Sequence, residues 1–205
     1  MSKNEIHIPA SPSRLIGGLS DLSYSLQSSI CDIIDNSISH GKAKNIFVLF
    51  QYDYEVDQFE FLLYDNGLSM DFDGLKNAMK LGSSDENYDP KADLGKYGMG
   101  LKTASLAHSN RFSLIAQTKG GPSSLVEMNK ELIIQKDTWL YINKTDETLK
   151  KECDECKGML KSVFNNFTFF PKKGSFTLLK WDEISELNKR ANKYKVSSRK
   201  DQWID

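Results

Sequence analysis

A chain of 205 residues, 39% hydrophobic and 27% charged, has the composition of a globular protein with one substantial core, and a formal net charge of -1 gives it no global attraction to nucleic acid. No apolar run approaches the length of a membrane span, and the opening MSKNEIHIPASPSR lacks the apolar stretch of a signal peptide, so a cytoplasmic protein with no membrane partner is expected. Three cysteines make no disulfide framework; Cys153 and Cys156 form a single C-x-x-C with Cys31 the only other thiol, too few for a four-ligand zinc site, and they read as ordinary thiols on a helix.

In chain order, SDLSYSLQSSICDIIDNSISHG predicts a helix capped by Ser20 or Asp21, with Leu26, Ile30, Ile33, Ile34 and Ile38 at helical spacing and Gly41 at its end. NIFVLFQY and FEFLLYD follow as strands joined by a polar DYEVDQ connection. After NGLS comes a short amphipathic helix, Asp71 to Leu81, then a polar loop, GSSDENYDPKAD, and a cluster of three glycines, Gly95, Gly98 and Gly100, that opens into a helix. From Arg111 the runs RFSLIAQTKG, SSLVEMN and TWLYIN are strand-like, Asp146 to Phe164 is a helix, and FTFF and SFTLLKW form a last strand pair divided by PKKG. Helices mixed with non-adjacent strands predict an α+β fold, a two-layer sandwich of one mixed sheet covered on one face by helices. The domain is expected over residues 1–185; residues 186–205, with six basic against three acidic side chains, read as a linker or the start of a following domain.

Glycine loses the most conformational freedom on folding, so three in six residues before a helix suggest a backbone that must approach a ligand closely, a phosphate being the usual one. The signature is neither that of a P-loop nor that of a dinucleotide fold, since G-x-x-x-x-G-K-[ST] is absent and the glycines follow a loop and not a strand. On the polar face of the first long helix, Asp32 and Asn36 lie four apart, with Asp35 and Ser39 beside them. An amide oxygen there suits Mg²⁺ and a carboxylate one turn away suits a water-activating base, although a solvated helix face has the same pattern. In YDNGLSM, Asp65 ends an apolar strand at an Asn-Gly turn, where its carboxylate can accept an exocyclic amino group such as adenine's.

Taken in order, CDIIDNSISHGKAKNI, YDNGLSM and LGKYGMGLKTAS resemble the N-box and the first and second glycine boxes of the GHKL superfamily, the Bergerat-fold ATPases and kinases, and are most similar to its MORC-type branch and bacterial relatives. The resemblance runs from about Ile8 to Ile184. It implies ATP and Mg²⁺ as cofactors, with Asn36 ligating the metal, Asp65 binding the adenine amino group and Gly67 making room for the base. Gly95, Gly98 and Gly100 would face the phosphates, Lys102 would add charge beside them, and Ser175, with Thr177 as the fallback, would supply the hydroxyl of the third glycine box. Met70, Lys96, Met99 and Leu101 complete the nucleotide-binding set that it implies. The polar loop before the glycines would be an ATP lid.

The implied activity is slow ATP hydrolysis, with Asp32 as catalytic base in the place of the family's glutamate, and Mg-ATP-dependent lid closure controlling homodimerisation or engagement of a DNA or protein partner. Ser69 stands where the family has the second glycine of its first box, which implies a stiffer turn. The alternatives are a non-hydrolysing nucleotide-binding module with a DNA- or protein-interaction role, and a histidine-kinase catalytic domain. Against the last, His7, His40 and His108 are followed by Ile8, Gly41 and Ser109, none of them acidic.

Overall fold

Strand alternation sets the architecture. The computed structural model describes residues 10–21, 25–53, 57–80, 100–164 and 174–184. In β2 (Gln58–Asp65), Phe61 and Leu63 point to one face of the sheet while Leu62 and Tyr64 point to the other, and all four are buried. β3 (Ser109–Gln117) and β6 (Phe176–Ile184) repeat the pattern, sending Phe112, Leu114, Leu179 and Trp181 to the first face and Ile115, Phe176 and Leu178 to the second. Strands apolar on both sides need cover on both sides.

With β1 (Ile46–Asp53), β4 (Ser123–Asn129) and β5 (Ile142–Asn143), these strands make a six-stranded sheet in the order β1-β2-β6-β3-β4-β5. Every neighbouring pair is antiparallel. The first face is covered by α1 (Pro12–Asp21), α2 (Leu26–Ser39), α3 (Phe72–Met79), α4 (Gly100–His108) and α5 (Lys130–Lys136), which contribute Ile16, Ile33, Leu75, Met79, Leu106 and Ile133. α6 (Asp146–Val163) lies on the second face through Cys156 and Leu160.

The α+β class is as expected, with two differences in detail. The sheet is antiparallel and not mixed, because β6 returns between β2 and β3 running opposite to both. Helices cover both faces and not one, because Leu62, Tyr64, Ile115 and Leu178 would otherwise face water without α6. The two thiols of the C-x-x-C belong to that packing: Cys156 is buried, Cys153 is half-buried, and burial pushes the Cys153 thiol up to about 11.

Local signals explain the helix limits. The Ser25 hydroxyl accepts the Ser28 N–H at 3.1 Å, so α2 starts there and not at Ser20 or Asp21, which belong to the separate helix α1. Asp71, Asn129 and Thr145 cap α3, α5 and α6 in the same way. α5 was not expected from the sequence, and of TWLYIN only Ile142 and Asn143 pair as a strand. FTFF, the polar loop before the glycine cluster and residues 186–205 lie outside the described residues. Among the described residues, no helix is long and apolar enough to cross a membrane.

Beside the apolar residues of the second face runs a buried ionic row. Lys180 lies 3.0 Å from both Glu60 and Asp182, and Arg111 donates to Asp182 at 2.9 Å. The two cations hold the Asp182 carboxyl below its ordinary value even though burial opposes them.

Candidate functional site

Asp65, the last residue of β2, is 3% exposed. Its Oδ1 accepts the Gly67 N–H at 2.9 Å and its Oδ2 accepts the Ser37 hydroxyl of α2, also at 2.9 Å. Burial raises its carboxyl above the usual carboxylate range, and the two donors pull in the opposite direction. Each oxygen keeps a second lone pair, so the carboxylate can accept one donor more.

The turn after Asp65 is packed tightly against the end of α2. The Leu68 N–H donates to the Gly41 carbonyl at 2.6 Å, and the Asn66 side-chain oxygen accepts the N–H groups of Lys44 and Asn45 at 3.0 and 2.8 Å. A Cβ on Gly67 would lie 2.3 Å from the Gly41 carbonyl oxygen, so this glycine is required by the approach of two backbones.

On its other side the turn is tied to β6. The Ser175 hydroxyl donates to the Gly67 carbonyl, and the Ser69 hydroxyl donates to the Phe176 carbonyl at 2.5 Å. Ser69 Oγ also accepts from the Thr177 hydroxyl at 3.1 Å and from the Gln117 N–H at 3.3 Å. Ser69 takes φ 60°, the left-handed conformation that favours glycine. The serine thus takes a conformation that favours glycine, and its hydroxyl, with donor and acceptors all engaged, holds the turn in place.

Asp32 and Asn36 stand half-buried on α2, beside the buried stripe of Ser29, Ile33 and Ser37. Burial, and secondarily the Asp35 charge, raises the Asp32 carboxyl above its ordinary value. The Asn36 carbonyl accepts the N–H groups of His40 and Gly41, while its side-chain amide makes no hydrogen bond among the described residues. Gly100 opens α4, and a Cβ there would meet nothing within 4 Å among the described residues. Leu101 and Met70 are half-buried against the first-face core. Gly95, Lys96, Gly98 and Met99 lie outside the described residues.

The structure therefore gathers Asp65, Gly67, Ser175 and Thr177 around one turn. Lys102 is 1% exposed and its ammonium donates to the Ala78 carbonyl at 2.7 Å, near the end of α3. Sequence reasoning missed Ser37 and Gly41 as parts of the site. Ser37's place two turns after Ser29 on the isoleucine side of the helix was the available signal.

Burial brings the Lys102 ammonium down to about 8, and that of Lys130, at the start of α5, to about 8 as well. Both lysines titrate near 10.5 when unfolded, so between about pH 8 and 10 the unfolded chain binds more protons than the folded one. The burial cost is complete below that window and is relieved as pH rises through it. Stability to urea is expected to increase from pH 8 to 10 in the wild type, and Lys102→Met and Lys130→Met should each flatten the rise. A slope unchanged in both variants would show that neither lysine is desolvated.

The α+β fold is consistent with an ATP-binding domain of the GHKL type, and the match to a family model shows that class. The chain belongs to the histidine kinase-, DNA gyrase B- and HSP90-like ATPases, the family whose model matches residues 24–161. A search of curated proteins found no match.

Proposed function

We propose that this domain binds ATP with the adenine amino group on Asp65 and hydrolyses it slowly, with Asp32 as the base. The observation that supports it most strongly is the Asp65 carboxylate: buried, held by two donors, and still able to accept a third. Gly67 lies in the turn that would receive the base, and Gly100, where a Cβ would meet nothing among the described residues, leaves the start of α4 open to a phosphate.

The half-buried Asn36 amide, without a hydrogen bond among the described residues, fits a hard cation, and Mg²⁺ held there would neutralise phosphate charge. Asp32 then draws a proton from the water that attacks the terminal phosphorus, giving ADP and phosphate. Burial raises its carboxyl above the ordinary value, which makes it a stronger base than a solvated aspartate, but its side chain is one methylene shorter than a glutamate's. A misplacement of about 1 Å can cost about 10²-fold in rate, hence the slow turnover.

Nucleotide-dependent closure of the segment that includes Gly95, Lys96, Gly98 and Met99 would couple this cycle to association with a second copy, or with a DNA or protein partner through a following domain, in the cytosol. The resemblance of the three motifs to MORC-type ATPases supports that reading. Asp32→Asn is expected to bind ATP as the wild type does and to lose hydrolysis, and Asp32→Glu to hydrolyse about tenfold or more faster. Hydrolysis unchanged in Asp32→Asn would remove Asp32 as the base. A wild type that binds ATP without turning it over would leave the non-hydrolysing module as the function.

A further inference from the structure

The buried stripe of α2 carries one hydroxyl near each end. Ser37 donates to Asp65, and two turns earlier Ser29, with no exposed surface, bonds to His108 Nε2 at 2.8 Å. His108 is the last residue of α4 and is itself fixed: 5% exposed, it stacks on Trp181 at 6.1 Å between ring centroids. Trp181 in turn donates its indole N–H to the Ser105 hydroxyl of α4 at 2.8 Å. α2 is thus anchored at one end to the adenine-facing carboxylate and at the other to a histidine braced against the centre of the sheet.

An α-helix turns about 100° per residue, so Asp32 and Asn36 project along one flank of this stripe, within about 60° of Ser29. Side-chain tips lie roughly 5–6 Å from a helix axis, so a rotation of about 10° moves them by about 1 Å. Apolar packing through Leu26, Ile30, Ile33 and Ile34 is non-directional and fixes the rotation only loosely, whereas two directional hydrogen bonds spaced two turns apart fix it closely.

We infer that Ser29 and His108 are a positioning pair which sets the rotation of α2 and with it the aim of Asp32 and Asn36. The inference rests on the ATPase reading above, and its test separates the two. Neither residue touches the nucleotide in that reading, so the pair acts on chemistry and metal dependence and not on adenine binding.

The test compares Ser29→Ala, His108→Leu and His108→Gln with the wild type, all checked for an intact melting transition. Ser29→Ala and His108→Leu are expected to lower kcat by about tenfold or more, and to blunt the tightening of ATP binding by Mg²⁺, with metal-free ATP affinity within about twofold of wild type. His108→Gln, which places a hydrogen-bonding group at similar reach, should restore most of both. Equal kcat and equal Mg²⁺ response in Ser29→Ala and wild type would overturn the inference. In the nucleotide-free protein, ¹H–¹⁵N spectra should show the Ser29→Ala perturbation extending to the Asn36 side-chain amide, two turns along α2; confinement to the turn around Ser29 overturns it as well. A wild type that binds no ATP defeats the functional reading, and the spectra still decide the positioning role.

Discussion

Asp65→Ala is expected to weaken ATP binding by at least about 100-fold, which corresponds to about 2.7 kcal/mol. Two losses add up in that variant. In the proposed site the adenine amino group would lose its acceptor, and the Gly67 N–H and the Ser37 hydroxyl, both buried donors, would be left unpaired. Because the second loss also loosens the turn, Asp65→Asn is the sharper variant: it retains an oxygen for one of the internal donors while placing an NH₂ group where the other acceptor was. It should fold with a melting transition close to wild type and still bind ATP at least about tenfold more weakly. Calorimetry showing wild-type affinity in Asp65→Asn would place the adenine elsewhere.

Gly67→Ala should be the most damaging single methyl group in the site. The added carbon would sit 2.3 Å from the Gly41 carbonyl oxygen and 3.0 Å from Asp65 Oδ1. The first of these is backbone anchored by the Leu68 N–H bond, so relief requires moving the turn away from the end of α2. Overpacking of this kind costs about 3 kcal/mol, a fall of roughly 6–12 °C in Tm for a chain of this size. Gly100→Ala is the informative contrast. Its Cβ meets nothing among the described residues, so Tm should hold while ATP affinity falls as the methyl intrudes where a phosphate would approach. Should Gly67→Ala melt with the wild type, the close approach of the two backbones is not a feature of the folded protein.

The legible part of the fold was the part with strong local punctuation. Asp146 to Phe164 was expected as a helix, and in the structure Thr145 caps a helix that runs from Asp146 to Val163 with Phe164 as its C-cap. α5 was not, because Asn129 is at once the last residue of β4 and the cap of the helix, leaving no loop between them. TWLYIN looked like a strand because Trp139, Leu140 and Tyr141 have strand propensity, but in the fold they pack on the first-face core, and Trp139 donates to the Met79 carbonyl. Strand direction leaves no trace in alternation, so the antiparallel insertion of β6 could not be read from the residues alone.

The site shows the same division. Asp65 and Gly67 stand out in the sequence because a carboxylate ending an apolar run at Asn-Gly is a local pattern. Their partners are distant: Ser37 lies 28 residues from Asp65, and Ser175 lies 108 residues from Gly67. Only the folded chain connects them. Ser69 is the instructive case, since the sequence marks it as a departure from glycine, while the structure reveals a left-handed serine whose hydroxyl bridges the turn to β6 and β3.

The claim on which the account depends is that the Asp65 carboxylate receives the exocyclic amino group of adenine. Inosine triphosphate differs from ATP at that group, placing a carbonyl oxygen where ATP has the amine. Calorimetric titration of the wild-type chain with both nucleotides at equal Mg²⁺ is the most direct measurement. The account predicts that ATP binds and that inosine triphosphate binds at least about 100-fold more weakly, because oxygen would face carboxylate oxygen in a buried site. Equal affinities for the two nucleotides would contradict it.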